Sequence, residues 1–390
     1  MPVVRVSRRG HTPPFQVMEI VKAATLRQQS HGDAILLCVG QPATPAPEVV
    51  RRAAAEAVGT QVLGYTESRG TTALRERIAR HYADTYAVAV DPEEVVITTG
   101  SSAGFLLTLM AAFDPDDAVA MTRPGYPAYR NDLNALGLRV RDLDAGPDTR
   151  YQPSVDLLEE LGEVPAGLVL ASPSNPTGTI IDPSELSRLA AWCEAHESLL
   201  ISDEIYHGIT YGRECVTARQ VSRDAVVLGS LSKYHSMTGW RLGWLLLPEA
   251  LRRPVEQLQG NLSICAPAVS QAAALAAFEP EATEELDAHV ARYSRNRDLL
   301  LRRLPELGIT SFAPPDGAFY AYCDVSDLTA DSYAWCYEVL DATGVALAPG
   351  TDFDTSGGHR MVRLSFCGST DELDEALDRL AAFLSSQRKL

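Results

Sequence analysis

The chain has 390 residues, longer than the ~100–200 of a typical domain, and its 46% apolar and 22% charged residues are ordinary for a water-soluble globular protein. A formal net charge of −17 argues against a nucleic-acid partner, whose phosphates are met by Lys and Arg, and no apolar run approaches the ~20 residues of a membrane helix. Three arginines fall within residues 1–11, yet no apolar stretch follows them to make a secretory signal, so the cytoplasm is the expected compartment.

Residues 1–45 are punctuated by Pro and Gly and predict an arm laid across the body that contributes to a small domain. Strand-like runs then recur at Val95–Thr99, Ala118–Thr122, Leu138–Leu143, Gly167–Ala171, Leu199–Ser202, Ala225–Gly229 and Leu242–Leu247. Most of them, though not the charged Leu138–Leu143, are too apolar for half-exposed strands. They predict a mostly parallel, seven-stranded sheet covered on both faces by helices such as Ala103–Ala112, Pro183–Glu197 and Glu249–Gln259. The expected fold is α/β, with a large domain over residues 46–280. From Glu281 to Leu304 the pattern is that of a long charged amphipathic helix leading out of the sheet. Strand-like pieces at Ala318–Cys323, Val345–Ala348 and Met361–Phe366, with helices at Asp331–Ala342 and Asp371–Ser386, predict a smaller α+β domain over residues 281–390.

Seven scattered cysteines without a C-x-x-C pair predict reduced, mostly buried thiols, and eight histidines show no metal-ligand spacing, so no metal is expected. His207, beside Tyr206, reads as structural. Lysine is scarce: only Lys22, Lys233 and Lys389 occur among 34 basic residues, which a bias toward arginine codons explains. The scarcity still narrows the candidates for an amine nucleophile. Lys389 lies one residue from the end and Lys22 in a polar-faced N-terminal helix, which leaves Lys233.

Ligands of open α/β sheets collect at the carboxyl ends of the strands, and chemically distinctive residues follow several strands here. After Val95–Thr99 comes Gly100-Ser101-Ser102-Ala103-Gly104, small residues opening a helix whose free N–H groups suit an anion, although the same residues favour a tight turn. After Gly167–Ala171 comes Ser172-Pro173-Ser174-Asn175-Pro176, where two prolines stiffen the loop that carries Asn175. Asp203 and Tyr206 follow Leu199–Ser202, and Ser230-Leu231-Ser232-Lys233 follows Ala225–Gly229, with Arg241 eight residues beyond. An amine, an acid, an amide, a phenol and an anion site then converge on one cleft. A lysine imine activates a carbonyl cofactor for exchange with an amino substrate, and an aspartate facing a pyridine nitrogen keeps it protonated as an electron sink.

These residues resemble the class I/II aminotransferases among the fold-type I enzymes that use pyridoxal 5′-phosphate (PLP). The resemblance runs in order through VGQP at 39–42, YTESRGTTALR at 65–75, TTGSSAG at 98–104, RPGYPAY at 123–129, SPSNPTG at 172–178, SDEIY at 202–206, GSLSKYHSMTGWRLGW at 229–244, DGAFY at 316–320 and VRLSF at 362–366. It implies that Lys233 is the Schiff-base lysine and proton-transfer catalyst, with Asp203 at the pyridine nitrogen and Asn175 and Tyr206 at the ring hydroxyl. Tyr126 is implied to stack on the ring, while Ser101, Ser102, Ser230 and Arg241 hold the phosphate, joined by Tyr65 of a second subunit. Arg363 is implied to clamp the substrate α-carboxylate with help from the Gly40 N–H. The resemblance thus implies a homodimer that moves an amino group from an L-amino acid to a 2-oxo acid by a ping-pong mechanism. Many relatives that use aspartate carry lysine two residues after the glycine of the phosphate loop. This chain has Ser102 there, which tilts the expectation toward a neutral side chain.

The S-x-x-K of Ser230 and Lys233 also fits serine acyltransferases, but the accompanying S-D-N and K-T-G are absent. A PLP-binding transcription regulator is disfavoured by the acidic charge and by motifs that begin by residue 40. A β- or γ-lyase, a cyclising enzyme or an oxidase on the same fold keeps nearly every residue named and stays open on motifs alone.

Overall fold

The computed structural model describes residues 4–387. The N-terminal segment holds α1 (Gln16–His31) and β1 (Ile35–Leu36), followed by α2 (Glu48–Thr60) and α3 (Thr72–Tyr86). Strands and helices then alternate: β2 (Val95–Thr98), α4 (Gly100–Ala112), β3 (Ala118–Arg123), α5 (Pro127–Leu136), β4 (Arg139–Asp144), α6 (Val155–Glu159), β5 (Gly167–Ala171), α7 (Pro183–Ala195) and β6 (Leu199–Asp203). Next come β7 (Val226–Ser230), β8 (Gly243–Leu246), α8 (Glu249–Leu262), α9 (Ala268–Ala274) and the long α10 (Pro280–Arg303). The chain ends through β9 (Tyr320–Asp324), α11 (Ser332–Thr343), β10 (Val345–Ala346), β11 (Ala348–Pro349), β12 (Met361–Ser365) and α12 (Thr370–Gln387).

Seven strands form the large sheet in the order β2-β8-β7-β6-β5-β3-β4, parallel except for β8, which runs antiparallel to both neighbours. Apolar clusters pack on its two faces. One gathers Leu74, Ile78, Leu189 and Ala273 from α3, α7 and α9, and the other gathers Phe105, Leu109, Leu133 and Val255 from α4, α5 and α8. Central strands β5, β6 and β7 are accordingly buried almost throughout, whereas the edge strand β4 exposes Arg139 and Asp144 and leaves Arg141 and Asp142 half-buried, as its charged composition foretells. Local chemistry sets the helix ends. Asp182 caps α7 by accepting from Ser184 N with Pro183 at the first position, and α5 starts at Pro127 and stops at Gly137, whose φ is 81°.

The small sheet runs β11-β12-β9, and its core includes Val17, Ile20 and Ala24 of α1 together with Val339, Leu340 and Leu377. Residues 16–36 are therefore packed elements of that core, more than an arm laid over it. Asp352 fastens α1 by accepting from Gln16 N at 2.8 Å and Val17 N at 2.7 Å, using the orphan amides of the helix start. The strand expected at Val345–Ala348 divides at Leu347. Val345–Ala346 pairs with β1 and Ala348–Pro349 with β12, so two sheets draw on one apolar run. Helix α4 starts at Gly100 and takes in the Gly-Ser turn as its first turn. All seven cysteines are unpaired, and among the described residues no helix is long and apolar enough to cross a membrane.

Candidate active site

A cavity of about 800 Å³ lies between the carboxyl ends of the large sheet's parallel strands and the small sheet, the place that strand geometry reserves for ligands. Its wall includes Lys233, from the loop after β7, whose Nζ donates to the Gly40 carbonyl at 2.8 Å. Burial, reinforced by the positive charges of Arg363 and Arg241, pushes the Lys233 amine down to about 8. It makes no ion pair among the described residues.

Asp203 closes β6 and is 6% exposed. One carboxylate oxygen accepts from Ile205 N at 3.1 Å and the other from the Tyr129 hydroxyl. Burial raises its carboxyl to about 6 even though both bonds favour the charged form. Such a carboxylate is costly to hold ionised without a cation and therefore suits a ligand that carries a proton or positive charge to it.

Phosphate-type features meet at the start of α4. Gly100 has φ +77°, and a Cβ added there would lie 2.5 Å from an Arg241 terminal nitrogen, so the guanidinium sits directly on the helix N-terminus. Ser101 and Ser102 line the cavity beside it, and Tyr126 forms part of the wall at the N-cap of α5. Thirteen residues of helix, free first-turn amides and a guanidinium together make an anion cradle.

Arg363 reaches the same cavity from β12 and is 3% exposed. One terminal nitrogen donates to Asn175 Oδ1 at 2.7 Å and the other to the Cys38 carbonyl at 2.5 Å. Its guanidinium lies 4.3 Å from the Tyr320 ring centroid and 4.7 Å from that of Phe353, which fixes the plane of the fork. Tyr206, fully packed in, places its hydroxyl oxygen 2.7 Å from that of Tyr320.

The structure thus brings Gly40, Ser101, Ser102, Tyr126, Asn175, Asp203, Tyr206, Lys233, Arg241 and Arg363 to one wall. It does not bring Ser230 there. The Ser230 oxygen accepts from Ser232 N at 3.0 Å and its side chain borders a second cavity, while Ser232 occupies the active-site wall. Tyr65 is 83% exposed and stands away from the cavity of its own chain. His207 lies in that second cavity, with Nδ1 2.8 Å from the Tyr86 hydroxyl, and burial pushes it down to about 3, so it stays neutral. Sequence reading missed Tyr129, although its spacing of three from Tyr126 at a helix start puts both on one face. It also missed Tyr320 and the α1 residues Val17 and Met18, which line the cavity with Phe15. Only the tertiary docking of α1 brings them there.

The carboxyl edge of the large sheet, with a half-buried amine, a buried acid and the Arg241 guanidinium, faces the Arg363 guanidinium of the small sheet, and together they define a fold-type I enzyme suited to amine–carbonyl chemistry. The family model described as aminotransferase class I and II matches residues 32–380. Valine–pyruvate aminotransferase of Mycobacterium tuberculosis is 52% identical over 98% of this chain and 99% of its own length. Aspartate aminotransferase of Thermotoga maritima is 33% identical, covering 98% of this chain and all of its own. Among solved structures, an aminotransferase from Mycobacterium tuberculosis superposes with a TM-score of 0.96 at 52% identity over 98% of this chain and 100% of that one. Aspartate aminotransferase of Thermus thermophilus with maleate gives 0.92 at 30% identity over 97% and 100%. The chain belongs to the class I and II aminotransferases, a PLP-dependent family. It is an enzyme that moves amino groups between amino acids and oxo acids, and the lyase, cyclising and oxidase alternatives give way to transfer.

The Tyr129 contact has a measurable consequence. Its hydroxyl donates to the charged form of Asp203, so Tyr129→Phe is expected to raise the Asp203 midpoint further, by about one unit. Infrared titration of the protonated-carboxyl band in the cofactor-free protein, assigned with Asp203→Asn, reads this directly. An unmoved midpoint in Tyr129→Phe would show that the contact does not govern the acid.

Proposed function

We propose that the cavity holds PLP, with Lys233 as its covalent anchor, and that the enzyme prefers a neutral amino-acid donor. The observation that carries this reading is one cavity wall bearing an amine near 8, a buried acid near 6 and an arginine over a helix N-terminus. Asp203 would face the pyridine nitrogen, Asn175 and Tyr206 the ring hydroxyl, and Tyr126 the ring face. The amides and hydroxyls of Ser101 and Ser102, with Arg241, would hold the phosphate. Ser230 would act there indirectly, through its bond to Ser232 N. The bound group would supply an electron sink for a proton leaving the substrate Cα and would carry the amino group between two half-reactions in ping-pong order.

Lys233, partly neutral at physiological pH, would shuttle that proton, since an amine near 8 both accepts and returns it. Arg363 would exchange Asn175 and the Cys38 carbonyl for the substrate α-carboxylate, keeping its plane between Tyr320 and Phe353. A bidentate fork of this kind orients the Cα as well as binding the acid, and the Gly40 backbone would assist.

The donor preference rests on charge. Among the described residues lining the cavity, the cations are Lys233, Arg241 and Arg363, each with a task already, and the remaining charge beyond Asp203 is Asp132. Burial raises the Asp132 carboxyl to about 6, so it is largely ionised at neutral pH and repels a second substrate carboxylate. Phe15, Val17, Met18 and Val39 offer apolar contact instead. The similarity to a valine–pyruvate aminotransferase supports a small apolar donor such as valine with pyruvate as acceptor. With the purified holoenzyme, single-turnover rates for valine and alanine are expected to exceed those for aspartate and glutamate by at least about tenfold. Equal or faster dicarboxylate rates would remove the preference.

Tyr65 would complete the phosphate site of a second subunit in a homodimer. Its support is an exposed apolar strip, with Val62 99% and Tyr65 83% exposed on the segment between α2 and α3. Mixing inactive Lys233→Ala with an impaired Tyr65→Phe protein is expected to restore partial activity, because each hybrid contains one site with both native groups. No recovery, once subunit exchange is demonstrated by mass spectrometry, would place Tyr65 outside the site.

A further inference from the structure

Tyr320 opens β9 opposite Ser365 of β12, so its ring projects from the same sheet face as Arg363. It is 1% exposed, yet it forms part of the cavity wall. Its hydroxyl oxygen lies 2.7 Å from that of Tyr206, and its ring centroid lies 4.3 Å from the Arg363 guanidinium carbon. A Cβ added to Gly40 would fall 1.6 Å from the Tyr320 hydroxyl oxygen. The chain therefore needs glycine at 40 for this phenol to sit where it does, and the Gly40 carbonyl is also the acceptor of the Lys233 amine. One buried phenol thus touches the ring-hydroxyl partner, the carboxylate clamp and the backbone that receives the catalytic amine.

We propose that Tyr320 is a positioning residue that donates its proton to Tyr206 and packs beneath Arg363, so that one rigid phenol couples cofactor-ring contact to substrate-carboxylate contact. This rests on the roles given above to Tyr206 and Arg363. Each phenol has one proton. If Tyr206 spends its own on the ring hydroxyl oxygen of the cofactor, the bond between the two tyrosines has Tyr320 as donor. A hydroxyl that accepts a hydrogen bond becomes a stronger donor, so Tyr320 reinforces the bond that Tyr206 makes. Loss of that reinforcement leaves more negative charge on the ring oxygen, which then holds the neighbouring proton at the Lys233 nitrogen more tightly. Lys233, Arg363, Tyr126 and Cys367 are the other titratable or charged groups facing the pair.

The test compares Tyr320→Phe, Tyr206→Phe, the double variant and Tyr320→Leu as holoenzymes. The pH midpoint of the visible absorbance change is expected to rise in both Phe variants, by about half a unit for Tyr320→Phe. The double variant is expected to rise no further than Tyr206→Phe alone, because Tyr320 acts through Tyr206. Tyr320→Leu, which removes the ring from beneath Arg363, is expected to raise the donor KM about three- to tenfold, whereas Tyr320→Phe keeps it near the wild-type value. A midpoint that moves in Tyr206→Phe but not in Tyr320→Phe, or a KM unmoved by Tyr320→Leu, overturns the role of Tyr320. A midpoint that moves in neither Phe variant overturns the cofactor reading as well.

Discussion

Lys233 sits half-buried in the cavity wall with no carboxylate paired to it among the described residues, and the architecture around it follows from that constraint. A paired lysine would stay protonated and inert. Here burial and the fields of Arg363 and Arg241 bring the amine to about 8, while Nζ donates a hydrogen bond to the Gly40 carbonyl at 2.8 Å. The acid that might have neutralised it, Asp203, is instead held by Tyr129 and Ile205 N, and burial lifts that carboxyl to about 6. Two groups whose pairing would silence both thus form no ion pair on the one wall, and each titrates within about a unit of pH 7.

The two sheets divide the chemistry between them. The carboxyl edge of the large sheet presents Asp203, Lys233 and the α4 anion cradle, and the small sheet presents Arg363 and Tyr320. Contacts across the cavity are few and specific: Arg363 with Asn175, Tyr320 with Tyr206, and Lys233 with Gly40. The first and last each join a group expected to face the substrate to one expected to face the cofactor, and the second ties the packing beneath Arg363 to the cofactor side. Helix α1, fastened through Asp352, adds an apolar rim that charge alone does not supply.

Much of this was legible in the sequence because buried parallel strands leave an unbroken apolar signature. Gly167–Ala171 was bounded to the residue, and the other six large-sheet strands to within a residue at either end. The scarcity of lysine isolated Lys233 by elimination, independently of the resemblance. What stayed hidden depended on side-chain direction or tertiary docking. Ser230 and Ser232 sit two apart beside the lysine, and only the turn's backbone decides that Ser232 faces the cavity while Ser230 accepts its amide. Tyr129 and Tyr320 stand in the quoted motifs without a role because their hydroxyl partners, Asp203 and Tyr206, lie 74 and 114 residues away along the chain. The split at Leu347 was invisible because a single apolar run carries no mark of which sheet will claim each half.

The central claim is that the chain's chemistry runs through the amine of Lys233. Borohydride reduction of the purified, PLP-loaded protein, followed by proteolysis and mass spectrometry of the pyridoxyl-bearing peptide, tests it most directly. The expected result is one pyridoxyl group per chain, on Lys233. A label on Lys22, or a protein that takes up no label at all, would contradict it.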